Sequence, residues 1–413
     1  MRLRRCRAAW VLPVDRPPIP DGAVLLDREG RIAALGPDAE VPAPPDAPTS
    51  DFGAAAILPG LVNAHTHLEL TGLAGLAPET DFPSWIRRVI ALKQARSRQD
   101  FLAAARQGIR DCWAAGVTTV ADTGDSGAVI EALHELGGSG IVYQEVFGPD
   151  PGVAETQFAS FIGRLEELSR FTGPRIRLGV SPHAPYSVSG RLYRQVARFA
   201  REKGFPIAVH IAESAEESAL LESATGPFAR NWTERGIPLP SLPGRTPLAW
   251  LDEHGVLGPS TLCIHVIRAD AKDLGRLARS SSAVAHCPRS NARHGHGTAP
   301  LGAMLDLGIR VGVGTDSVAS AGPLDLLAEA RAARDLGRFD AERALRLCTL
   351  DAALALGLGH EAGSISPGKW GDLVVFRLPE GVDGARPADT VMSRGLDAVV
   401  ATYLAGREVW RSE

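Results

Sequence analysis

The feature that most constrains the fold is a repeated alternation of short β-branched segments with longer helical segments. In the helical segments, such as 100–113 and 190–200, apolar residues recur at helical spacing. The strand candidates are Leu58 to His67, Val117 to Asp122, Ile141 to Val146, Ile176 to His183, Pro206 to Glu213, Thr261 to Val266, Ala283 to Pro288 and Arg310 to Asp316. Eight such units predict an α/β fold, a TIM-like (β/α)₈ barrel.

An open, doubly wound parallel sheet is the alternative. Such a sheet commonly carries a glycine-rich phosphate-binding turn after its first strand. Here the first strand is not followed by G-x-G-x-x-G, and the chain contains no G-x-x-x-x-G-K-[ST] loop. We therefore favour the barrel.

The two ends of the chain differ from the middle. The first fifty or so residues are short strand candidates, including a hairpin around Gly30, and a proline-rich stretch at 41–48 follows. The C-terminal end again consists of short apolar strand candidates. Because neither end is long enough for its own core, we expect 1–56 and 362–413 to form one small β-sandwich domain beside a barrel over 57–361.

The charge distribution argues against a nucleic-acid partner. The 413 residues include 44 Lys plus Arg and 48 Asp plus Glu, for a formal net charge of −4, with no basic block. A dedicated nucleic-acid binder needs a concentrated cationic face.

The chain also has the features of a cytoplasmic protein. No apolar run approaches the ~18 to 20 residues that cross a bilayer. Pro13 and Asp15 interrupt the apolar start, so we expect mature sequence and not a signal peptide. The 5 cysteines are scattered without a C-x-x-C pair, which fits neither a disulfide framework nor a zinc ribbon.

Histidines are few, 11 in all, and several lie at predicted strand ends. His65 and His67 are two apart on a strand, so both side chains point to one face. In a barrel, strand ends converge on the carboxy-terminal mouth, where active sites lie. The other residues of this type are His183, His210, His265, His286 and Asp316.

Each of these residues alone has an ordinary structural explanation. Asp316 fits a helix cap, and His286 fits a packed histidine bonded to backbone. Burying the whole set at one barrel end would cost several kcal/mol unless an ion or a reaction uses it. We therefore interpret the set as a functional site.

A long segment at 223–247, rich in glycine and proline, follows the fifth predicted strand. It is too long for a minimal barrel connection. It is either a loop over the barrel mouth that contacts substrate or a surface insertion.

Several ordered motifs resemble those of the amidohydrolase superfamily, in the branch of cytosine, guanine and adenosine-type deaminases and triazine chlorohydrolases. The resemblance covers nearly the whole chain and includes the β-sandwich formed by both termini. The motifs are Pro59-Gly-Leu-Val-Asn-Ala-His-Thr-His-Leu-Glu, Ser181-Pro-His-Ala-Pro-Tyr, His210-Ile-Ala-Glu-Ser, His265-Val, His286-Cys-Pro-Arg-Ser-Asn and Gly314-Thr-Asp-Ser.

The resemblance implies that His65, His67, His210 and Asp316 bind one divalent ion, Zn²⁺ or Fe²⁺. Three imidazoles and a carboxylate are suitable ligands for either ion. Two-metal members of the superfamily carry a bridging lysine at the end of the fourth strand. Here that strand ends in Ser181-Pro-His183, so we expect one metal.

The resemblance also implies a hydrolytic deamination, because a bound ion makes hydroxide available at neutral pH. Asp316 would accept the proton of the attacking water, and His265 would orient that water. Glu213 resembles the family's proton shuttle, which protonates the ring nitrogen as hydroxide attacks the adjacent carbon. Ammonia then leaves.

Three further residues are expected to contact the substrate, an aminated heterocycle or nucleoside. His183 has the substrate-contacting position of the Pro-His-Ala motif. Glu69 would hydrogen-bond a ribose or ring substituent, or is a solvated or capping carboxylate. Trp85 would stack on an aromatic ligand, or packs in the core. Ser290 and Asn291 would shape the pocket or brace the loop.

Within the superfamily, the His65-Thr-His-Leu-Glu-Leu and Phe82-Pro-Ser-Trp-Ile runs and the long insertion resemble aminodeoxyfutalosine deaminases of menaquinone biosynthesis. That substrate carries a benzoate, which arginines of the insertion would pair with. The candidates are Arg230, Arg235 and Arg245. Deaminases of adenosine derivatives such as S-adenosylhomocysteine are the nearest alternative.

More distant alternatives are a guanine-type deaminase, a chlorohydrolase or ring-opening hydrolase, and a non-catalytic scaffold. Intact Glu213, His265 and Asp316 argue against the scaffold. A homodimer is compatible with all of them. The remaining histidines are interpreted as surface or loop residues: His134, His254, His294, His296 and His360.

Overall fold

The computed structural model describes residues 3–79, 81–240, 244–379 and 386–413. Its strands form two sheets of eight, one from the two ends of the chain and one from the middle. Within the described residues, no helix is long and apolar enough to cross a membrane.

The first sheet joins the two ends of the chain. Its strands are β1 Arg4–Val11, β2 Ile19–Leu26, β3 Ile32–Pro37, β4 Thr49–Asp51, β5 Ala55–Pro59, β14 Leu373–Arg377, β15 Val399–Leu404 and β16 Arg407–Arg411. The β5 strand pairs parallel with β1 and antiparallel with β14, so it links the N-terminal strands to the C-terminal ones. The antiparallel β2–β3 pair flanks Gly30, as the hairpin prediction requires.

The second sheet is the predicted barrel. Its strands are β6 Leu61–Thr66, β7 Val117–Gly124, β8 Gly140–Val146, β9 Ile176–Pro182, β10 Ile207–Ile211, β11 Thr261–His265, β12 Ala283–His286 and β13 Val311–Val313. They follow one another in sequence order, and neighbouring strands are parallel. The (β/α)₈ barrel beside a β-domain built by both termini is confirmed.

The barrel closes between its first and last strands. Asn63 Oδ1 accepts the backbone N–H of Thr315 at 3.1 Å, and Asn63 Nδ2 donates to Thr315 Oγ1 at 2.8 Å. A Cβ at Gly314 would lie 2.6 Å from the backbone nitrogen of His65, so this close approach requires glycine. The closure brings the end of the last strand beside the first.

The prediction of a continuous first strand over Leu58 to His67 is wrong. The segment divides at Gly60, because β5 belongs to the terminal sheet and β6 to the barrel. A Cβ at Gly60 would lie 2.2 Å from Thr118 Oγ1, so the chain crosses between the sheets at a point where only glycine fits.

Helices surround the barrel and bury apolar residues against its strands. The α-helices are α1 Phe82–Gln94, α2 Arg98–Ala114, α3 Ala128–Leu136, α4 Ala154–Ser169, α5 Gly190–Lys203, α6 Ala215–Ser223, α7 Gly226–Glu234, α8 Pro247–Glu253, α9 Ala271–Ser280, α10 Pro288–Arg293, α11 Leu301–Asp306, α12 Val318–Ala321, α13 Leu326–Gly337, α14 Ala341–Leu347, α15 Leu350–Ala355 and α16 Pro387–Met392. Short 3₁₀ turns lie at Leu68–Leu70, Pro151–Val153 and Leu396–Ala398.

The long insertion is partly helical, which the sequence analysis did not predict. Its α7 helix packs on the segment that follows β9: Phe228 stacks on Tyr186 with ring centroids 4.3 Å apart, and Trp232 Nε1 donates to the carbonyl of Tyr186 at 3.0 Å. Tyr186 in turn meets Phe82 edge-on at 6.3 Å. The insertion therefore packs beside the barrel mouth, while its residues 241–243 lie outside the described part of the chain.

Candidate active site

Three histidines meet at the carboxy-terminal end of the barrel. His65 lies in β6 and His67 just beyond it, and His210 lies near the end of β10. The ring centroid of His65 is 4.8 Å from that of His67 and 5.0 Å from that of His210. The structure therefore brings together the three imidazoles that the family resemblance implied as metal ligands.

Asp316 completes this group from the end of the barrel's last strand. Its Oδ1 lies 3.7 Å from His65 Nε2 and 3.6 Å from His67 Nε2. The backbone N–H of Asp316 donates to the carbonyl of His65 at 3.1 Å, so the closure of the barrel sets this geometry. Asp316 has a φ of 55°, a strained conformation of the kind held at functional sites.

Hydrogen bonds orient two of the three imidazoles. His67 Nδ1 donates to the carbonyl of Thr123 at 2.8 Å, and His210 Nδ1 donates to the carbonyl of His183 at 3.3 Å. In a neutral imidazole the other nitrogen is then a lone-pair donor to a metal. Both rings therefore present Nε2 to the cluster.

The donor set fits a divalent transition metal. His65, His67 and Asp316 each offer one ligand atom within 4.8 Å of the others, and so do His65, His210 and His265. Neither ring nitrogen of the fully buried His65 has a hydrogen-bond partner within the described residues. Buried polar atoms of this kind normally have a partner, and nitrogen ligands with one carboxylate suit zinc or iron better than magnesium or calcium.

The electrostatics of the cluster favour metal binding. Burial lowers the pKa of His65, His67 and His210, which keeps the imidazoles neutral. Burial alone would raise the pKa of Asp316, but the neighbouring histidines, His65 first and then His67 and His265, hold it well below the ordinary value. Neutral imidazoles and an ionised carboxylate are the forms that ligate a metal.

Glu213 lies beside this cluster, just after β10. Its Oε1 is 3.4 Å from His265 Nε2, and both residues are buried. The Glu217 carboxylate accepts the backbone N–H groups of Ala212 and Glu213, both at 2.9 Å, and so holds the turn. Ala212 has a φ of 51° in this turn. The turn directs Glu213 into the site.

His265 is held by a side chain that the sequence analysis left with two interpretations. His265 Nδ1 donates to Asn291 Oδ1 at 3.0 Å, and Asn291 Nδ2 lies 3.4 Å from His286 Nδ1. Asn291 therefore braces two histidines of the barrel mouth. His265 has a φ of 74°, which is a second strained residue at the site.

His183 lies at the rim of the cluster, with its ring centroid 4.9 Å from that of His210. Its Nδ1 hydrogen-bonds Ser187 Oγ at 2.7 Å, and its Nε2 is 4.0 Å from Glu145 Oε1. Burial lowers the pKa of His183 to about 3, so the ring is neutral. Nε2 makes no hydrogen bond among the described residues, so this nitrogen can bind a substrate.

Glu69 is buried, but both of its carboxylate oxygens have partners. Oε1 is 2.6 Å from Lys93 Nζ, and Oε2 accepts the backbone N–H of Ser126 at 3.1 Å. Lys93 also reaches Asp125 Oδ1 at 2.5 Å. Burial opposes ionisation, but Lys93 lowers the pKa of Glu69 to about 2. Glu69 is thus part of an ion-pair cluster near His67 and not a solvated carboxylate.

Trp85 stacks on Phe82 with ring centroids 6.0 Å apart. It also meets His294 at 4.7 Å, and its Nε1 has no hydrogen-bond partner within the described ranges. Trp85 is therefore in an aromatic wall near the site and not in the barrel core.

The interpretation of His294 and His296 as surface residues is wrong, because both are buried. His294 is 9% exposed and His296 is 7% exposed, and His296 Nε2 lies 3.5 Å from Glu213 Oε1. The two residues follow α10 and lie only a few positions after the His286 motif. Two features of the sequence could have indicated that these residues are near the site. They are the short distance from the His286 motif and the second His-x-His spacing.

A family comparison agrees with this geometry. The model of the family described as "Amidohydrolase family" matches residues 56–409. The chain belongs to the amidohydrolase family.

Curated relatives and solved structures are similar to this amidohydrolase over most of its length. A 5-methylthioadenosine/S-adenosylhomocysteine deaminase of Syntrophobacter fumaroxidans is 32% identical over 385 residues, which cover 87% of this chain and 81% of the relative. An aminodeoxyfutalosine deaminase of Deinococcus radiodurans is 34% identical over 332 residues, with 76% of each chain covered. The crystal structure of a zinc-bound adenosine deaminase of Xanthomonas campestris is 26% identical in sequence and has a TM-score of 0.86. The match covers 98% of this chain and 92% of the adenosine deaminase chain.

An open cleft of about 490 Å³ borders the site of this amidohydrolase. Its lining includes His296 at one side, Arg268 after β11, and Glu222 at the end of α6. Of the insertion arginines predicted to bind a carboxylate, Arg245 is paired with Glu253, and Arg230 and Arg235 are exposed. The cationic residue that lines the cleft is Arg268.

Proposed function

We propose that this amidohydrolase deaminates the adenine-type ring of a nucleoside derivative and that its substrate is 6-amino-6-deoxyfutalosine. The enzyme is a hydrolytic deaminase that acts on a cyclic amidine. The observation that carries the proposal is the position of Glu213, a buried carboxylate 3.4 Å from His265, beside the cluster of His65, His67 and Asp316. This arrangement provides a proton-transfer group beside a candidate metal centre.

We assign one divalent ion, zinc or iron, to His65, His67, His210 and Asp316. When bound, such an ion lowers the pKa of a water to about 7 and so supplies a nucleophile at neutral pH. The neutral state of the imidazoles and the low pKa of Asp316 support the assignment.

The proton steps follow from the positions of the chain's own carboxylates. Asp316 takes a proton from the attacking water, and His265 orients that water. Glu213, whose low pKa keeps it ionised, takes the other proton of that water and gives it to the ring nitrogen beside the carbon under attack. One C–O bond forms, the exocyclic C–N bond breaks, and ammonia leaves with a proton that came from water. General acid–base transfer of this kind contributes about 10² to 10⁴ in rate.

We propose that His183, Glu69 and Trp85 bind the substrate. His183 offers its free Nε2 to the heterocycle, and Trp85 offers an aromatic face and an unpartnered N–H. Glu69 would contact the substrate as part of a cluster of three charged side chains, because Lys93 pairs with both Glu69 and Asp125. Arg268 is the candidate partner for a carboxylate on the substituent.

The second candidate is deamination of 5-methylthioadenosine or S-adenosylhomocysteine. The relative of that name covers more of this chain than the aminodeoxyfutalosine deaminase does, at a slightly lower identity. Among the described residues, the cleft lining combines Arg268 with the carboxylates of Glu222, Asp270 and Asp273, so it offers both signs of charge to a substituent.

The assignment to menaquinone biosynthesis depends on the substrate proposal. We also propose a cytoplasmic location, which the burial of all 5 cysteines as free thiols supports. A homodimer is compatible with this function.

The substrate proposal is tested by ammonia release from a panel of candidates. The panel contains aminodeoxyfutalosine, S-adenosylhomocysteine, 5-methylthioadenosine, adenosine, guanine and cytosine, each given to metal-analysed protein. We expect kcat/KM for aminodeoxyfutalosine to exceed the others by about 100-fold or more, because a site that hydrogen-bonds a polar group discriminates by up to about 10⁴ to 10⁵ against analogues that lack it. Preference for S-adenosylhomocysteine or 5-methylthioadenosine would favour the second candidate, and ammonia release from none of them would contradict the proposal.

A further inference from the structure

Two imidazoles contact the same oxygen of Glu213. His265 Nε2 lies 3.4 Å from Oε1, and His296 Nε2 lies 3.5 Å from the same atom. The carboxylate therefore has one oxygen between two rings.

Asn291 positions both rings. Its side-chain Oδ1 accepts the Nδ1–H of His265 at 3.0 Å, and its backbone carbonyl accepts the backbone N–H of His296 at 3.1 Å. Asn291 is 2% exposed. A single buried residue thus positions both imidazoles relative to Glu213.

Aromatic rings hold His296 from its other side. Phe82 meets the His296 ring edge-on, with centroids 4.6 Å apart, and His294 stacks on it at 5.3 Å. His296 Nε2 is buried and makes no hydrogen bond within the described ranges. Glu213 Oε1, 3.5 Å away, is an acceptor that an N–H at that position can approach.

The two imidazoles differ in what they can offer to Glu213. A neutral imidazole carries one N–H. His265 uses its N–H on Asn291, so its Nε2 presents a lone pair to Oε1. His296 has no such use for its proton among the described residues. It can therefore donate from Nε2 to the ionised carboxylate, which neutral His265 cannot do.

We propose that His296 is a positioning residue for Glu213, which holds Oε1 by an Nε2–H donor and leaves Oε2 to the substrate. The inference rests on the proton-transfer role of Glu213 in the proposed function. The proton from water is then taken up on Oε2 and passes from Oε2 to the ring nitrogen, with no other reactant.

The charges around Glu213 are consistent with this role. Burial alone would raise the pKa of Glu213, but the charge of His265 in its protonated form and the neighbouring His296 hold it below the ordinary value, and Asp316 opposes them. The other titratable groups that interact with Glu213 are His65, His183, Tyr186, Glu217, Cys287 and His294. Loss of the His296 donor therefore favours the protonated carboxyl.

The test compares two ring-for-ring substitutions in the same loop. His296→Phe keeps an aromatic side chain and removes the donor, whereas His294→Phe does the same to a ring that does not touch Glu213. His296→Gln restores an N–H donor. The ionisation of Glu213 is followed by its carboxyl infrared band in metal-loaded protein, with Glu213→Gln used to assign the band.

We expect His296→Phe to raise the proton affinity of Glu213 about tenfold and to lower kcat by about 10- to 100-fold, the usual value of a hydrogen bond to a charged group. KM should change much less than kcat. The acidic limb of the kcat/KM pH profile should move to higher pH, and His296→Gln should recover part of both effects. His294→Phe should leave the band and the limb in place.

An unchanged Glu213 titration in metal-loaded His296→Phe would overturn the inference. An equal shift in His294→Phe would also overturn it, because the effect would then be general to the loop. The infrared readout does not need turnover. If the Glu213 band shifted in His296→Phe but the wild-type protein released no ammonia from any nucleoside, the His296 contact would be supported and the proposed function would be rejected.

Discussion

The Ser290 hydroxyl donates to Asp316 Oδ2 at 2.6 Å, while the other carboxylate oxygen, Oδ1, faces His65 and His67. The backbone N–H of Ser317 also donates to Oδ1 at 2.7 Å. The two oxygens of Asp316 thus have different partners. Ser290, which fitted either pocket shaping or loop bracing from the sequence, orients a proposed metal ligand.

Ser290→Ala should weaken metal binding without unfolding the protein. Groups that orient a ligand typically contribute about 10- to 100-fold in metal affinity. Zinc affinity measured by competition with a chelator checks this expectation. Ser187→Ala is the matched control, because that hydroxyl contacts His183 and no proposed ligand. Equal zinc affinity in Ser290→Ala and wild type would contradict the role.

His67→Ala should lower the metal content below one ion per chain. His67 Nε2 lies 3.6 Å from Asp316 Oδ1, and its Nδ1 is already used on Thr123, so no other atom of the ring can replace Nε2. Elemental analysis after metal-replete purification checks the content. His294→Ala removes a nearby buried imidazole outside the ligand set and should keep the metal. Full occupancy in His67→Ala would remove His67 from the ligand set.

Glu213→Gln should lower kcat by about 10² to 10⁴, because the amide cannot carry the proton. The metal content should stay at the wild-type value, since Glu213 is not in the ligand set. Steady-state ammonia release checks the rate. Glu202→Gln changes an exposed glutamate on α5, outside the site and the cleft, and should retain the rate. Wild-type turnover in metal-loaded Glu213→Gln would refute the proton-transfer role.

Lys93→Met should destabilise the fold by about 3 to 5 kcal/mol near pH 7, because it leaves the Glu69 carboxylate buried without its cation. In the wild type the pKa of Glu69 is lowered to about 2. That stabilisation is therefore present above the unfolded pKa and is lost as the pH falls through about 2. Without Lys93, burial instead favours the protonated acid, so the deficit should shrink toward pH 4.5.

Thermal unfolding at pH 7 and pH 4.5 measures the deficit. The control is Arg98→Met, which breaks the exposed pair with Glu131 and should cost less than about 1 kcal/mol. If Lys93→Met were no less stable than Arg98→Met at pH 7, the Lys93–Glu69 pair would not stabilise the mouth. A KM change in Lys93→Met without a loss of stability would instead favour direct substrate contact by this cluster.

The barrel and the main histidine cluster were predictable because they depend on local pattern. Strand and helix periods are visible in the sequence, and parallel strands in a barrel bring their ends to one face. His65, His67, His210 and Asp316 lie at such ends. Their convergence therefore follows from the topology once the strands are identified.

Features that depend on contacts distant in sequence were not predictable. The break at Gly60 arises from a close approach to Thr118, and the position of Glu69 depends on Lys93. His296 was missed because its loop has no regular period. Its burial comes from Phe82, which lies more than two hundred residues earlier in the chain.

The most direct test of the account is the source of the oxygen and the fate of the nitrogen in one reaction. Metal-free protein is reloaded with zinc or iron and incubated with aminodeoxyfutalosine in ¹⁸O-labelled water, and product mass and ammonia are measured together. Metal-dependent hydrolysis predicts no turnover without metal, and with metal one labelled oxygen in the product for each ammonia released. Ammonia release that persists without metal, or a product without the labelled oxygen, would contradict metal-dependent hydrolytic deamination.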